Sequence, residues 1–184
     1  MKKNRAVFLD RDGTINEEVE YLSKADKFVL ILGSGEAIRE LNKAGFKVVV
    51  ATNQAGIAKG IFKKEDMIAV NERMIEELKK FGAKIDGIYF CPHHPDFTGD
   101  CDCRKPKPGM LITAAKELNI ELKNSYCIGD RLKDIEAGFV VGCKTILVLT
   151  GYGMKEKEKI STVKPDFIAE NLYDGVKRFV LQYQ

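Results

Sequence analysis

The sequence predicts an α/β fold, a parallel sheet with helices on both faces, and three observations carry that expectation. Short apolar runs alternate along the chain with longer segments of helical periodicity, the order of successive βαβ units. The runs are continuous and lack the alternation of a half-exposed strand, so both of their faces are covered. Each run ends in a polar or glycine-rich turn, and in an open parallel sheet ligands sit outside those carboxyl ends.

Residues 6–9, 47–51, 85–90, 126–128 and 144–149 read as five strands. Between them, residues 35–44 fit a helix stopped by Gly45. Residues 64–81 fit a longer helix, because Met67, Val70, Met74, Leu78 and Phe81 recur at spacings of three and four, the apolar stripe of a packed helix. Residues 108–118 start on a proline, and residues 132–139 are followed by glycine just past Val140, the usual helix punctuation. A last helix over residues 171–183 closes the chain. Segments 16–32 and 92–106 read as loops that something must hold. A chain of 184 residues with no linker or internal repeat predicts one domain over residues 1–184.

A composition 45% hydrophobic and 31% charged, without low-complexity tracts, excludes a disordered or fibrous chain. Thirty basic against twenty-seven acidic side chains leave a formal charge of +3, too slight to predict a nucleic-acid or membrane partner. The apolar segment before Asp10 is too short for a signal-peptide core or for a membrane span of about 20 residues, so the expected compartment is the cytoplasm. Five cysteines, an odd number, argue against a disulfide framework and toward thiols or a metal site.

The chemistry-bearing residues follow the strands. After the first comes Asp10-Arg11-Asp12-Gly13-Thr14, two carboxylates one residue apart at the mouth of a buried strand. Such a pair repels unless a cation or a shared proton neutralises it, which suits Mg²⁺; a polar turn with an Asx hydrogen bond is the plainer alternative. The second strand runs into Thr52-Asn53-Gln54-Ala55-Gly56, where a hydroxyl, two amides and small neighbours suit phosphate oxygens. The fourth runs into Gly129-Asp130-Arg131-Leu132-Lys133-Asp134, bringing Asp130 to the same sheet edge as a further carboxylate for a divalent cation. Asp134 reads either as one more acid at that site or, preferably, as a residue on a helix surface.

After the third strand the chain holds three of its five cysteines and both histidines within thirteen residues, 91–103. Cys91, His93, Cys101 and Cys103 offer the ligand set of a tetrahedral structural Zn²⁺ site, with His94 as the alternative imidazole. Such a closed site orders its loop without activating water, and the loop leads directly into Arg104 and Lys105. Cys127 and Cys143 read as small core residues.

Asp10-x-Asp12-Gly13-Thr14, Thr52, Lys105 and Gly129-Asp130, in that order, resemble the four motifs of the haloacid dehalogenase superfamily. More narrowly, Thr52-Asn53-Gln54-x-Gly56-Ile57-Ala58-x-Gly60, the Cys-x-His…Cys-x-Cys loop and Cys103-Arg104-Lys105-Pro106-x-Pro108-Gly109-Met110 resemble the D-glycero-D-manno-heptose 1,7-bisphosphate phosphatases, over residues 6–153. That family shares its Cys/His loop with histidinol-phosphate phosphatase domains, while residues 56–60 lean toward heptose. Two positions depart from the heptose pattern: Ala55 stands where serine is usual, and Glu18-Val19-Glu20-Tyr21 matches the substrate loop loosely.

The resemblance implies a Rossmann-like, haloacid dehalogenase-like fold with no large cap domain, and a monomer. It implies that Asp10 attacks phosphorus, forming an aspartyl-phosphate, while Asp12 protonates the departing sugar oxygen and later takes a proton from water. Mg²⁺ would be held by Asp10, Asp130 and the Asp12 carbonyl, and Thr52 and Lys105 would donate to the phosphoryl oxygens. Binding of a phosphorylated sugar would fall to Glu18, Tyr21, Thr52, Asn53, Gln54, Ala55, Arg104, Lys105 and Arg131. Histidinol-phosphate phosphatase is the competing enzyme reading. A zinc-knuckle module that binds nucleic acid is the non-enzymatic one, and the low net charge opposes it.

Overall fold

The computed structural model describes residues 3–182, so Tyr183, the end of the predicted last helix, lies outside the described residues. In chain order the elements are β1 (Ala6–Leu9), α1 (Ser34–Lys43), β2 (Lys47–Asn53), α2 (Lys64–Lys79), β3 (Gly87–Cys91), α3 (Pro95–Thr98) and α4 (Gly109–Glu117). They continue with β4 (Tyr126–Gly129), α5 (Leu132–Val140), β5 (Lys144–Val148), α6 (Gly153–Lys157), β6 (Phe167–Ala169) and α7 (Leu172–Gly175). A single π turn, Val176–Val180, extends α7. The strands of the sheet all pair in parallel, in the order β3-β2-β1-β4-β5-β6.

Both faces of the sheet are buried, as the continuous apolar runs require. On β1, Val7 and Leu9 enter a layer shared with α1 and α2 through Ile38, Leu41, Val70 and Met74. Ala6 and Phe8 point the other way, into a layer closed by Met110, Leu111 and Ala114 of α4. Cys127 and Cys143 are buried in that second layer, as small core residues. Helix α1 ends where Gly45 takes φ +79°, a left-handed backbone that glycine adopts without a side-chain clash.

The structure corrects several boundaries. Six strands form the sheet, where five were expected: β6, three residues long and partly exposed, is too short to read as an apolar run. β2 runs two residues further than expected, so Thr52 and Asn53 pair with Phe90 and Cys91. β3 begins at Gly87 because the Asp86 carboxylate accepts from Val48 N and Lys47 Nζ, both at 3.0 Å, and occupies the ladder position itself. The predicted last helix is four α-helical residues and the π turn.

Segment 16–32 is closed on itself by an Asn16–Leu30 bridge and tied to the body by Ile31 N donating to Ile15 O (3.0 Å) and by Leu22, Phe28 and Ile31, all buried. It carries one short 3₁₀ turn, Ala25–Lys27, and forms no large cap. No helix among the described residues is long and apolar enough to cross a membrane.

Candidate active site

β1 lies between β2 and β4, so the direction of winding reverses there and a crevice opens at the carboxyl ends. A cavity of about 270 Å³ occupies that position. Asp10 and Asp12 after β1, the 52–56 segment at the end of β2, and Arg131 after β4 all line it. Lys105 reaches it from the loop between β3 and α4.

Lys105 is the electrostatic centre. Its ammonium is buried, 3.0 Å from Asp10 Oδ1 and 2.6 Å from Asp134 Oδ1, and it donates to the Ala51 carbonyl. Burial alone would pull its pKa down, but Asp10 and Asp134 outweigh that and hold it above the ordinary lysine value. Asp134 is therefore not the helix-surface residue expected: it is fully buried, and its carboxylate also accepts from Arg131 N at 3.0 Å, capping α5. Burial, partly offset by Lys105, pushes Asp134 up to about 6.

Asp10, Asp130 and Asp134 bring carboxylate oxygens within 4.8 Å of one another. Asp130 is fully buried; Tyr152 N donates to its Oδ2 at 2.8 Å, and Oδ1 has no hydrogen-bond partner. Burial and the charges of Asp10 and Asp134 push its pKa up to about 8. An orphaned carboxylate oxygen beside two more acids fits an oxygen-coordinated divalent cation such as Mg²⁺. Gly13, at φ +79°, permits the close approach: a Cβ there would stand 2.3 Å from Asp130 Oδ2. The Asp12 carboxylate is outside this acidic group, leaving its carbonyl as the atom it could offer a metal.

Asp12 is instead clasped by donors. Arg11 Nη2 reaches Oδ2 at 2.9 Å and Nε reaches Oδ1 at 3.2 Å, while Asn16 Nδ2 and Gln54 Nε2 donate at 3.0 and 2.9 Å. Arg11 is completely buried and bonds Asn71 Oδ1 at 2.8 Å. Sequence reading missed it because an arginine between two aspartates reads as a solvated charge. Two residues predicted to bind substrate prove to be braces as well as cavity lining. Asn53 exchanges two 3.1 Å hydrogen bonds with the Lys105 backbone, tying that loop to β2. Gln54 Nε2 also donates to Thr52 Oγ1 at 2.9 Å, which leaves the Thr52 hydroxyl hydrogen free for a ligand.

The outer wall holds the other predicted substrate residues, Glu18, Tyr21, Ala55, Arg104 and Arg131. Arg104 Nη1 donates to His93 O at 3.1 Å, and the Arg131 guanidinium lies 3.7 Å from the centre of the Tyr152 ring. Tyr21, at φ +55°, accepts through its hydroxyl oxygen from Lys59 Nζ at 2.7 Å. Burial, then the charge of Asp12, pushes Glu18 up to about 7. Lys59, Lys133 and Tyr152 also line the cavity and were not anticipated; each reads as an ordinary surface residue until the fold brings its segment to the crevice.

In the cysteine loop, Cys91, Cys101 and Cys103 gather their sulfurs at separations of 2.8 Å (91 to 103) and 3.6 Å for the other two pairs. Tetrahedral Zn–S bonds of about 2.3 Å place sulfurs near ~3.8 Å apart, so two separations fit and the third must open. Neither histidine completes the group within 4.8 Å. His94, the alternative imidazole, accepts from Asp96 N at 3.3 Å as the N-cap of α3.

Comparison with known proteins agrees with this geometry. A family model described as HAD-hydrolase-like matches residues 102–175. The D-glycero-beta-D-manno-heptose-1,7-bisphosphate 7-phosphatase of Yersinia pestis is 41% identical over 185 residues, covering 97% of each chain. The protein of that name from Escherichia coli (strain K12) is 46% identical over 152 residues, 79% of this chain and 80% of the relative. The crystal structure of D,D-heptose 1,7-bisphosphate phosphatase from B. bronchiseptica, complexed with magnesium and phosphate, superposes with a TM-score of 0.91 at 34% identity, covering 98% of this chain and 99% of that one. With near full-length identity of this order and the acidic crevice at the sheet's reversal point, this chain belongs to the D-glycero-beta-D-manno-heptose-1,7-bisphosphate 7-phosphatase family.

Proposed function

We propose that this protein is a Mg²⁺-dependent phosphatase that removes the 7-phosphate of D-glycero-D-manno-heptose 1,7-bisphosphate, giving heptose 1-phosphate and inorganic phosphate. The observation that carries the reading is the pairing of Asp10 with a buried Lys105 in a cavity that Arg104, Arg131 and Lys133 also line. Asp10 attacks phosphorus as the bond to the sugar O7 breaks, and Asp12 delivers the proton that O7 takes up. Water then attacks the aspartyl-phosphate, giving its proton back to Asp12 and releasing Asp10. Arg11, Asn16 and Gln54 fix the position of Asp12 for both transfers. Thr52 and Lys105 donate to the phosphoryl oxygens, and the Lys105 ammonium lies 3.0 Å from Asp10 Oδ1. Asp10, Asp130 and the Asp12 carbonyl would hold Mg²⁺, which would supply charge neutralisation at those oxygens.

The site is complete within one chain, so a monomer suffices, acting as one domain. None of the five cysteines forms a disulfide, which suits a reducing compartment such as the cytoplasm.

The test compares kcat/KM for phosphate release from heptose 1,7-bisphosphate and from histidinol phosphate, with Mg²⁺ present. A preference of about a hundredfold for the bisphosphate, about 2.7 kcal/mol of transition-state discrimination, is expected. A ratio near one, or reversed, transfers the protein to a histidinol phosphate or broad phosphomonoesterase role.

For the cysteine loop we propose a structural Zn²⁺ held by Cys91, Cys101, Cys103 and His93, with Arg104 and Lys105 directly downstream. The three gathered sulfurs support the donor set; His93 must turn inward. Elemental analysis of extensively dialysed protein should find about one zinc per chain, and chelation should lower the melting temperature. Metal-free protein with an unchanged melting temperature would refute the assignment.

A further inference from the structure

The cavity holds more positive charge than the cleaved phosphate can use. At its floor the Lys105 ammonium, between Asp10 and Asp134, is the cation placed for the cleaved phosphate. Farther out, Arg104, Arg131 and Lys133 line the same cavity. Both guanidiniums are pinned, one on the His93 carbonyl and the other over Tyr152. Lys133 is half-buried, and among the described residues its ammonium has no hydrogen-bond or ion-pair partner.

The neighbouring acids do not neutralise it. Asp134 is held by Lys105 and Arg131 N, and Glu156 by Leu132 N and Lys159. Arg104, Arg131 and Lys133 line one cavity with Glu18, whose carboxyl feels the charge of Arg131. Burial, followed by the charges of Arg131 and Arg104, holds Lys133 below the ordinary lysine pKa, so the three cations are close enough to feel one another. A cavity wall carrying three such cations favours an anion.

We infer that Lys133 is a specificity-determining residue, the third cation of a subsite that takes up the substrate's second phosphate, the one left uncleaved. The inference rests on the bisphosphatase reading above and adds to it a residue on the first turn of α5. A flexible stem carrying a compact charge lets Lys133 follow a phosphate whose oxygens the two pinned arginines meet from fixed directions. A substrate with one phosphate leaves these three charges facing one another.

The experiment measures kcat/KM for heptose 1,7-bisphosphate and for heptose 7-phosphate in the wild type, Lys133→Met and Lys133→Arg. The ratio of the two is independent of how much of a preparation is folded, since both substrates meet the same active fraction. Lys133→Met is expected to shrink the wild-type preference for the bisphosphate by about tenfold or more, the size of a lost charge-assisted hydrogen bond, and Lys133→Arg to keep most of it. An unchanged ratio in Lys133→Met overturns the inference and leaves the bisphosphate reading standing. A wild type with no preference between the two sugars removes both.

Discussion

Replacing Lys105 by methionine is expected to lower stability by about 3–5 kcal/mol, the usual result of removing one partner from a buried ion pair, and with it the melting temperature by roughly 10 °C. Methionine fills much of the space but leaves Asp10 and Asp134 facing each other without a counter-charge. The deficit should depend on pH. Burial already raises Asp134 to about 6 with the lysine present, and the lysine acts to lower it. Without Lys105 the folded-state value climbs further above that of the unfolded chain, so the folded state holds protons that the unfolded state releases. Stability of the variant should therefore fall as pH rises from about 4 through 7, with the smallest deficit at the acidic end of that range. Adding Asp134→Asn should recover part of the stability and none of the turnover, separating the two roles of the lysine. A Lys105→Met protein melting at the wild-type temperature would contradict the burial argument.

Asp10→Asn should abolish turnover, by roughly 10⁴-fold or more as for other enzymes stripped of their nucleophile, with the fold retained. The amide keeps the shape of the carboxylate and removes one of the charges that crowd Asp130. Burst kinetics and trapping of a phosphorylated chain should fail together with steady-state activity. Retained hydrolysis would exclude Asp10 as the nucleophile.

Much of this site can be read before any coordinates exist, because its residues follow directly on strands that are themselves legible. Buried parallel strands are continuous apolar runs, so the ends of β1, β2 and β4 fall where Asp10, Thr52 and Asp130 stand. Ligand binding at carboxyl ends then gives those polar residues a common destination. β6 escaped because three partly exposed residues at a sheet edge make no pattern. Asp134 was misjudged although it carries a local signal, an acid three positions into α5 that bonds back to Arg131 N. A capping acid is normally solvated, and only the arrival of Lys105 from another segment explains its burial.

The sequence by itself determined the alternation of strands and helices, the order of the acids along the chain and the clustering of thiols next to Arg104 and Lys105, since these are properties of neighbours in the chain. Tertiary structure alone decided which charges are buried and what they meet. Arg11 became the clasp of Asp12, Asn53 the brace of the Lys105 loop, and Lys133 a cation lining the cavity with no hydrogen-bond or ion-pair partner among the described residues. Burial and pairing depend on contacts between segments tens of residues apart, and a side chain's charge or hydrogen-bonding capacity carries no record of which segment will arrive beside it.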